Sequence, residues 1–251
     1  MCSRYLMTSP PEAVRSWFRT ENGLDFPPRT NIAPTQPVVI VRNNHRGQRE
    51  MALVRWGLIP VWAKDLSKLS TILNARVETA TEKPSFRGPI RHRRCLVPAD
   101  GWYEWTGPPR HKQPHLIRRK LSGGGPGQPG QHGGTGDSPA SLLALAGLHE
   151  HWVGADGSEI ETMAILTAPA NADIAHIHDR MPVVLEPRYY DRWLDTTPGS
   201  AEPILDLLAA PAAGVLEAVM VDRRIGNSRY DGPLLVVESD GTPNETSGSL
   251  L

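Results

Sequence analysis

The sequence predicts an α+β fold built around one strongly bent, mixed or antiparallel sheet. Short stretches rich in β-branched and aromatic residues recur along the chain, and few segments show helical spacing. There is no strand–helix–strand alternation and no glycine-rich phosphate fingerprint such as GxGxxG or GxxxxGK[ST], so a nucleotide-binding α/β fold is disfavoured.

From the N-terminus, a helix is predicted to start near Pro10. Ser9 is placed to cap it, Pro10 and Pro11 suit a first turn, and Val14, Trp17 and Phe18 recur at helical spacing. Segments 36–41 (QPVVIV) and 51–56 (MALVRW) read as strands joined by the polar turn NNHRGQ. Residues 94–105 (RCLVPADGWYEW) combine strand formers with a Pro-Ala-Asp-Gly turn. Further strands are expected at 114–119, 141–149, 161–167 and 215–221, and short helices near 171–176, 187–194 and 203–209. The Gly/Pro stretch 122–138 reads as a flexible loop between two strands of one sheet, so 1–237 is expected to be one domain, with a polar, frayed tail at 238–251.

The 251 residues are 39% hydrophobic and 22% charged, an ordinary globular mixture, and the formal net charge is zero. That balance argues against a generic basic DNA-coating protein. It leaves room for a local basic groove or a merely solvated surface at Arg87, Arg91, Arg93 and Arg94, and at the smaller pairs Arg118–Arg119 and Arg223–Arg224. No run approaches a membrane span, MCSRYLMTSP lacks the apolar core of a signal peptide, and Cys2 and Cys95 are the only cysteines. A cytoplasmic protein with reduced thiols is expected, nucleoid-associated if bacterial, acting as a monomer without cofactor, metal or membrane partner.

Four segments carry residues suited to chemistry. Initiator methionine is normally excised before a small residue, which would expose Cys2 as a 1,2-aminothiol. Its amine can condense with an aldehyde to a Schiff base, and its thiolate can then close a five-membered thiazolidine. By position alone, Cys2 reads rather as the second residue of a frayed terminus. In 74–78 (NARVE), Asn74, Arg76 and Glu78 share one face if extended, or start a helix with an Arg76–Glu78 ion pair. In 98–105 (PADGWYEW), Glu104 lies among Trp102, Tyr103 and Trp105. Desolvation there should raise its pKa towards acid–base duty, unless it is a surface residue of an edge strand. In 176–182 (HIHDRMP), His176 and His178 would face one way in a strand. No further metal-ligand motif accompanies them, which favours proton transfer over metal binding.

Together with the MC start and Arg4–Tyr5, the segments NIAP (31–34), RWG (55–57), NARVE (74–78), ADGWYEW (99–105), IHDRMP (177–182) and IGN (225–227) resemble the SOS response-associated peptidase (SRAP) family, in family order over nearly the whole chain. The resemblance implies a distorted, mostly antiparallel β-barrel with peripheral helices. It also implies covalent capture of abasic sites in single-stranded DNA or at its junctions with duplex. On this reading Cys2 forms the thiazolidine with the sugar C1, Asn74 orients the amine and opened sugar, and Glu104 moves protons. His178 would assist ring opening and Schiff-base reversal or strand-cleaving lyase chemistry. The same four residues would serve self-removal of the residue before Cys2. Arg4, Arg76 and Asn31 would hold phosphates and Trp56 would lie beside a flanking base. The family usually begins Met-Cys-Gly-Arg, so Ser3 is a departure that bears on rate more than on reaction type. Two other functions stay open: a thiol peptidase acting in trans, and a non-covalent reader of single-stranded or modified DNA.

Overall fold

A computed structural model describes residues 2–120 and 142–237 of the chain. The stretch expected as a loop at 122–138, the tail 238–251 and Met1 lie outside the described residues.

In chain order, the first half comprises β1 (Tyr5–Met7), α1 (Pro11–Phe18), β2 (Arg29–Ile32), β3 (Pro37–Asn43), β4 (Arg49–Trp56), β5 (Asn74–Arg76), α2 (Pro89–His92), β6 (Arg94–Ala99) and β7 (Gly101–Thr106). There follow β8 (Gln113–Arg119), β9 (Leu143–Val153), β10 (Glu159–Pro169), β11 (Arg180–Pro182), β12 (Val184–Leu185), α3 (Tyr190–Leu194) and β13 (Leu216–Met220). The expected α+β class holds: strands dominate, most pairings are antiparallel and the helices are short and peripheral.

One sheet has the order β13-β8-β7-β1-β2 and is antiparallel throughout. The other runs β11-β10-β4-β3-β6-β9-β12. In it β9 also pairs with β10, so the sheet curls into a barrel-like form, and β5 pairs in parallel with β10. Only Asp100 separates β6 from β7, and the chain crosses there from one sheet to the other. The main core includes Val41, Leu96, Leu145, Ile165 and Trp102, while Tyr103, Leu116, Ile225 and Leu234 form a second cluster. Trp102 and Tyr103 thus go to different clusters, as strand alternation requires. Gly101 is required where it stands, because an added Cβ would come 2.5 Å from the Ile117 carbonyl oxygen of β8.

The helical expectations need correction. Pro10, not Ser9, caps α1, and the Ser9 hydroxyl instead donates to Asp100 Oδ1 at 2.6 Å. Residues 171–176 form turns rather than a helix. Segment 187–194 splits into a 3₁₀ turn and α3, and the last predicted helix is the 3₁₀ segment Glu202–Leu207. No described helix is long and apolar enough to cross a membrane.

Asp100 fixes the exit of β1. It accepts from the Thr8 amide (2.6 Å), the Thr8 hydroxyl (3.1 Å), the Ser9 amide (2.8 Å) and the Ser9 hydroxyl. Bonds to a charged acceptor contribute more than neutral ones, so Asp100→Ala is expected to destabilise the fold by about 2–3 kcal/mol. The check is a lower urea midpoint with an unchanged slope.

Candidate functional site

The two sheets meet at the N-terminus. Pairing of Tyr5 with Trp102 puts β1 beside β7, and the Tyr103 amide donates to the Arg4 carbonyl at 3.0 Å. The ladder therefore extends back towards Cys2, alongside Glu104. From the other sheet comes Asn74, the first residue of β5, held opposite Ile165 of β10. Its Nδ2 donates to the Cys2 carbonyl at 2.8 Å. His178 ends the turns that follow β10, with its amide donating to the Ile174 carbonyl at 3.1 Å. Its Nε2 lies 4.0 Å from Glu104 Oε2. Four residues distant in sequence, Cys2, Asn74, Glu104 and His178, are thereby assembled around one point.

Burial sets the charge states. Cys2 is fully buried, and burial pushes its thiol well above the ordinary value, so it is a neutral thiol until a base takes its proton. Glu104 is almost fully buried, and desolvation pushes its carboxyl up to about 7, in the direction that its aromatic flanks anticipate. It can give or accept a proton near neutrality. Desolvation holds His178 below the usual imidazole value. His178 Nδ1 accepts from the Arg180 amide at 3.0 Å, an arrangement that suits a neutral ring with its proton on Nε2, facing Glu104. Asp179 Oδ1 also lies 2.8 Å from Nδ1, on a carboxylate that is mostly solvent-exposed. Asn74 Oδ1 is buried without a hydrogen-bond partner among the described residues, so the site retains an unused acceptor.

The residues expected at phosphates and bases are placed less uniformly. Arg76 is exposed on β5, two residues from Asn74. Arg4 is partly buried and donates to Asn31 Oδ1 (2.9 Å) and to the carbonyls of Ile225 (3.1 Å) and Gly226 (3.4 Å). Asn31 is fully buried, and its Nδ2 donates to Ile225, Asn227 and Tyr230 carbonyls. Both residues therefore tie the 225–230 segment to the N-terminal strands.

Trp56 corrects the expectation of a base platform. It is fully buried, edge-on to Tyr5, and its Nε1 donates to the Leu73 carbonyl at 3.1 Å, leaving no ring face for a base. Trp62, in the loop after the same strand, is 52% exposed. Its neighbours Pro60 and Lys64 in an irregular stretch were the available signal.

The arginine run also divides. Arg94 is buried, Arg93 pairs with the buried Glu150 at 2.5 Å, and Arg87 and Arg91 are exposed. Glu78 pairs with Arg180, not with Arg76. His176 is exposed, and no cluster of three or more potential metal ligands occurs among the described residues.

The family described as SOS response associated peptidase (SRAP) matches residues 1–228. "Abasic site processing protein YoqW" of Bacillus subtilis (strain 168) is 33% identical over 240 residues, spanning 94% of this chain and 99% of that protein. "Abasic site processing protein HMCES" of Gallus gallus is 29% identical over 238 residues, spanning 89% and 70%. Crystal structures of proteins from Bacteroides thetaiotaomicron and Bordetella bronchiseptica share the fold. The first has a TM-score of 0.71 at 25% identity, covering 89% of this chain and 93% of that one. For the second the values are 0.69 and 27%, covering 88% and 99%.

Proposed function

Because this chain belongs to the SRAP family, we propose that it processes abasic sites in DNA, capturing the opened sugar covalently through Cys2 once Met1 is gone. The observation that carries this reading is the gathering of Asn74, Glu104 and His178 around the Cys2 residue. Relatives named for abasic site processing support the choice of substrate.

The chemistry follows from the charge states. The Cys2 amine attacks the C1 aldehyde of the open-chain sugar to form a carbinolamine. Glu104, protonated in part near neutrality, gives a proton to the departing hydroxyl, and water leaves as the Schiff base forms. The resulting carboxylate takes the thiol proton, the sulfur bonds to C1 of the protonated Schiff base, and the C=N electron pair returns to the nitrogen, which closes a neutral thiazolidine and restores the Glu104 carboxyl. The net change is loss of one water, with no oxidant or reductant. Asn74 Nδ2 fixes the Cys2 peptide, and its vacant Oδ1 accepts from the amine or a sugar hydroxyl. His178, partly exposed at the rim, donates through Nε2 to the ring oxygen as the sugar opens. Arg76 at the same rim suits a phosphate of single-stranded DNA or of a junction with duplex. The same thiol and acid–base pair would support self-removal of Met1, and His178 would support reversal of the Schiff base or strand cleavage.

Intact mass spectrometry of the protein, with and without a single-stranded oligonucleotide bearing one abasic site, tests the reading. Loss of Met1 and a mass gain equal to the oligonucleotide less one water are expected. Cys2→Ala should bind DNA and gain no mass. A Met1-retaining protein with full crosslinking, or a crosslink in Cys2→Ala, would overturn it.

A further inference from the structure

Glu78 has no place in the chemistry above, yet its contacts lead directly to His178. Both of its carboxylate oxygens accept from Arg180, Oε1 from Nη1 and Oε2 from Nη2, each at 2.9 Å. Arg180 also donates from Nη2 to the Thr167 carbonyl of β10 at 2.6 Å and from Nε to the Thr167 hydroxyl at 3.4 Å. The guanidinium is thus gripped from two elements: the chain leaving β5, which carries Asn74, and β10, which precedes the His178 turn. The backbone amide of the same Arg180 donates to His178 Nδ1. Fork-to-fork pairing fixes orientation as well as distance.

We infer that Glu78 is a positioning residue: by holding Arg180 in both planes of its fork, it fixes the amide that keeps His178 in the Nε2–H form facing Glu104. Glu78 is about half exposed, and ion pairs at such sites contribute little to stability. The Glu78–Arg180 pair instead joins the chain leaving the strand that bears Asn74 to the segment that follows His178. The inference rests on the covalent-capture reading for its kinetic consequence and on the tautomer alone for its structural one.

Two measurements on full-length, Met1-free protein decide it. The first is the saturating rate of crosslinking to a single-stranded abasic oligonucleotide, together with the half-saturating DNA concentration, for wild type, Glu78→Gln and Glu78→Asp. The second is the ¹⁵N imidazole spectrum of His178 in the same proteins without DNA. Glu78→Gln should lower the saturating rate about tenfold, as expected for misplacement of a reacting group, while half-saturation stays put. Its His178 should show a mixture of ring tautomers in place of the pure Nε2–H form. Glu78→Asp, which keeps the charge, should recover part of both, and it preserves the test if Glu78→Gln does not fold. An unchanged tautomer, an unchanged rate, or a loss confined to half-saturation would overturn the inference. If wild type itself forms no crosslink, the capture reading fails while the spectrum still decides the positioning role.

Discussion

Glu104→Gln is expected to slow covalent capture of an abasic oligonucleotide by about two to three orders of magnitude at neutral pH, with little change in DNA affinity. Glutamine keeps the size and polarity of the side chain and removes only the ability to exchange a proton. The wild-type rate should bend near the carboxyl's pKa of about 7, and the variant should lose that bend. The same substitution separates function from stability. The carboxyl is raised from 4.5 to about 7 on folding, so between these values the native state holds a proton that the unfolded chain has released. Stability contributed by the protonated form is fully present below pH 4.5 and is lost as pH rises through 7. Thermal melts across this window should therefore fall more steeply for wild type than for Glu104→Gln. Equal slopes would show that Glu104 is not the buried acid described here.

The largest expected loss of stability lies away from the site, at Arg94→Met. The buried Arg94 guanidinium donates from Nε to the Trp193 carbonyl (2.6 Å) and from Nη1 to the Ile90 carbonyl (2.8 Å), with Nη2 on the Asp195 carbonyl. It also lies over the Trp193 ring, 5.7 Å from the centroid. One cation thus satisfies carbonyls of α2 and of the end of α3 and fastens both to β6. Methionine would fill the volume and leave those acceptors without donors. A cost of about 3–5 kcal/mol follows, or roughly 10 °C in melting temperature for a chain of this size. Arg94→Lys should recover only part, since an ammonium cannot reach acceptors spread around a planar fork. A change under about 1 kcal/mol would mean that water replaces the guanidinium.

These two residues illustrate what can be read from sequence. Glu104 announces itself because three aromatic neighbours within one strand imply desolvation. Arg94 does not, because its neighbours suggest a basic patch and its carbonyl partners Trp193 and Asp195 lie about a hundred residues away. Long, largely apolar strands such as β9 and β10 are legible from residue composition. The three-residue strands β1, β5 and β11 were not: they are too short for a period, and distant strands supply their pairing. Those are the strands that position Cys2, Asn74 and His178, so the site was found through motifs rather than through elements. Trp56 was misread for a related reason. Its place beside a base rests on the family resemblance alone, and the packing of Tyr5 against its ring decides for the core.

The tie between the N-terminal strand and the 225–230 segment orders the folding of the chain in time. Arg4 needs the carbonyls of Ile225 and Gly226, and β1 needs β7, so neither anchor exists until those residues have been synthesised. During translation the leading cysteine emerges first, yet it lacks its surroundings until the ribosome has made nearly everything downstream. A chain synthesised only as far as β13 therefore carries Cys2 without the contacts that hold Arg4 in the folded protein.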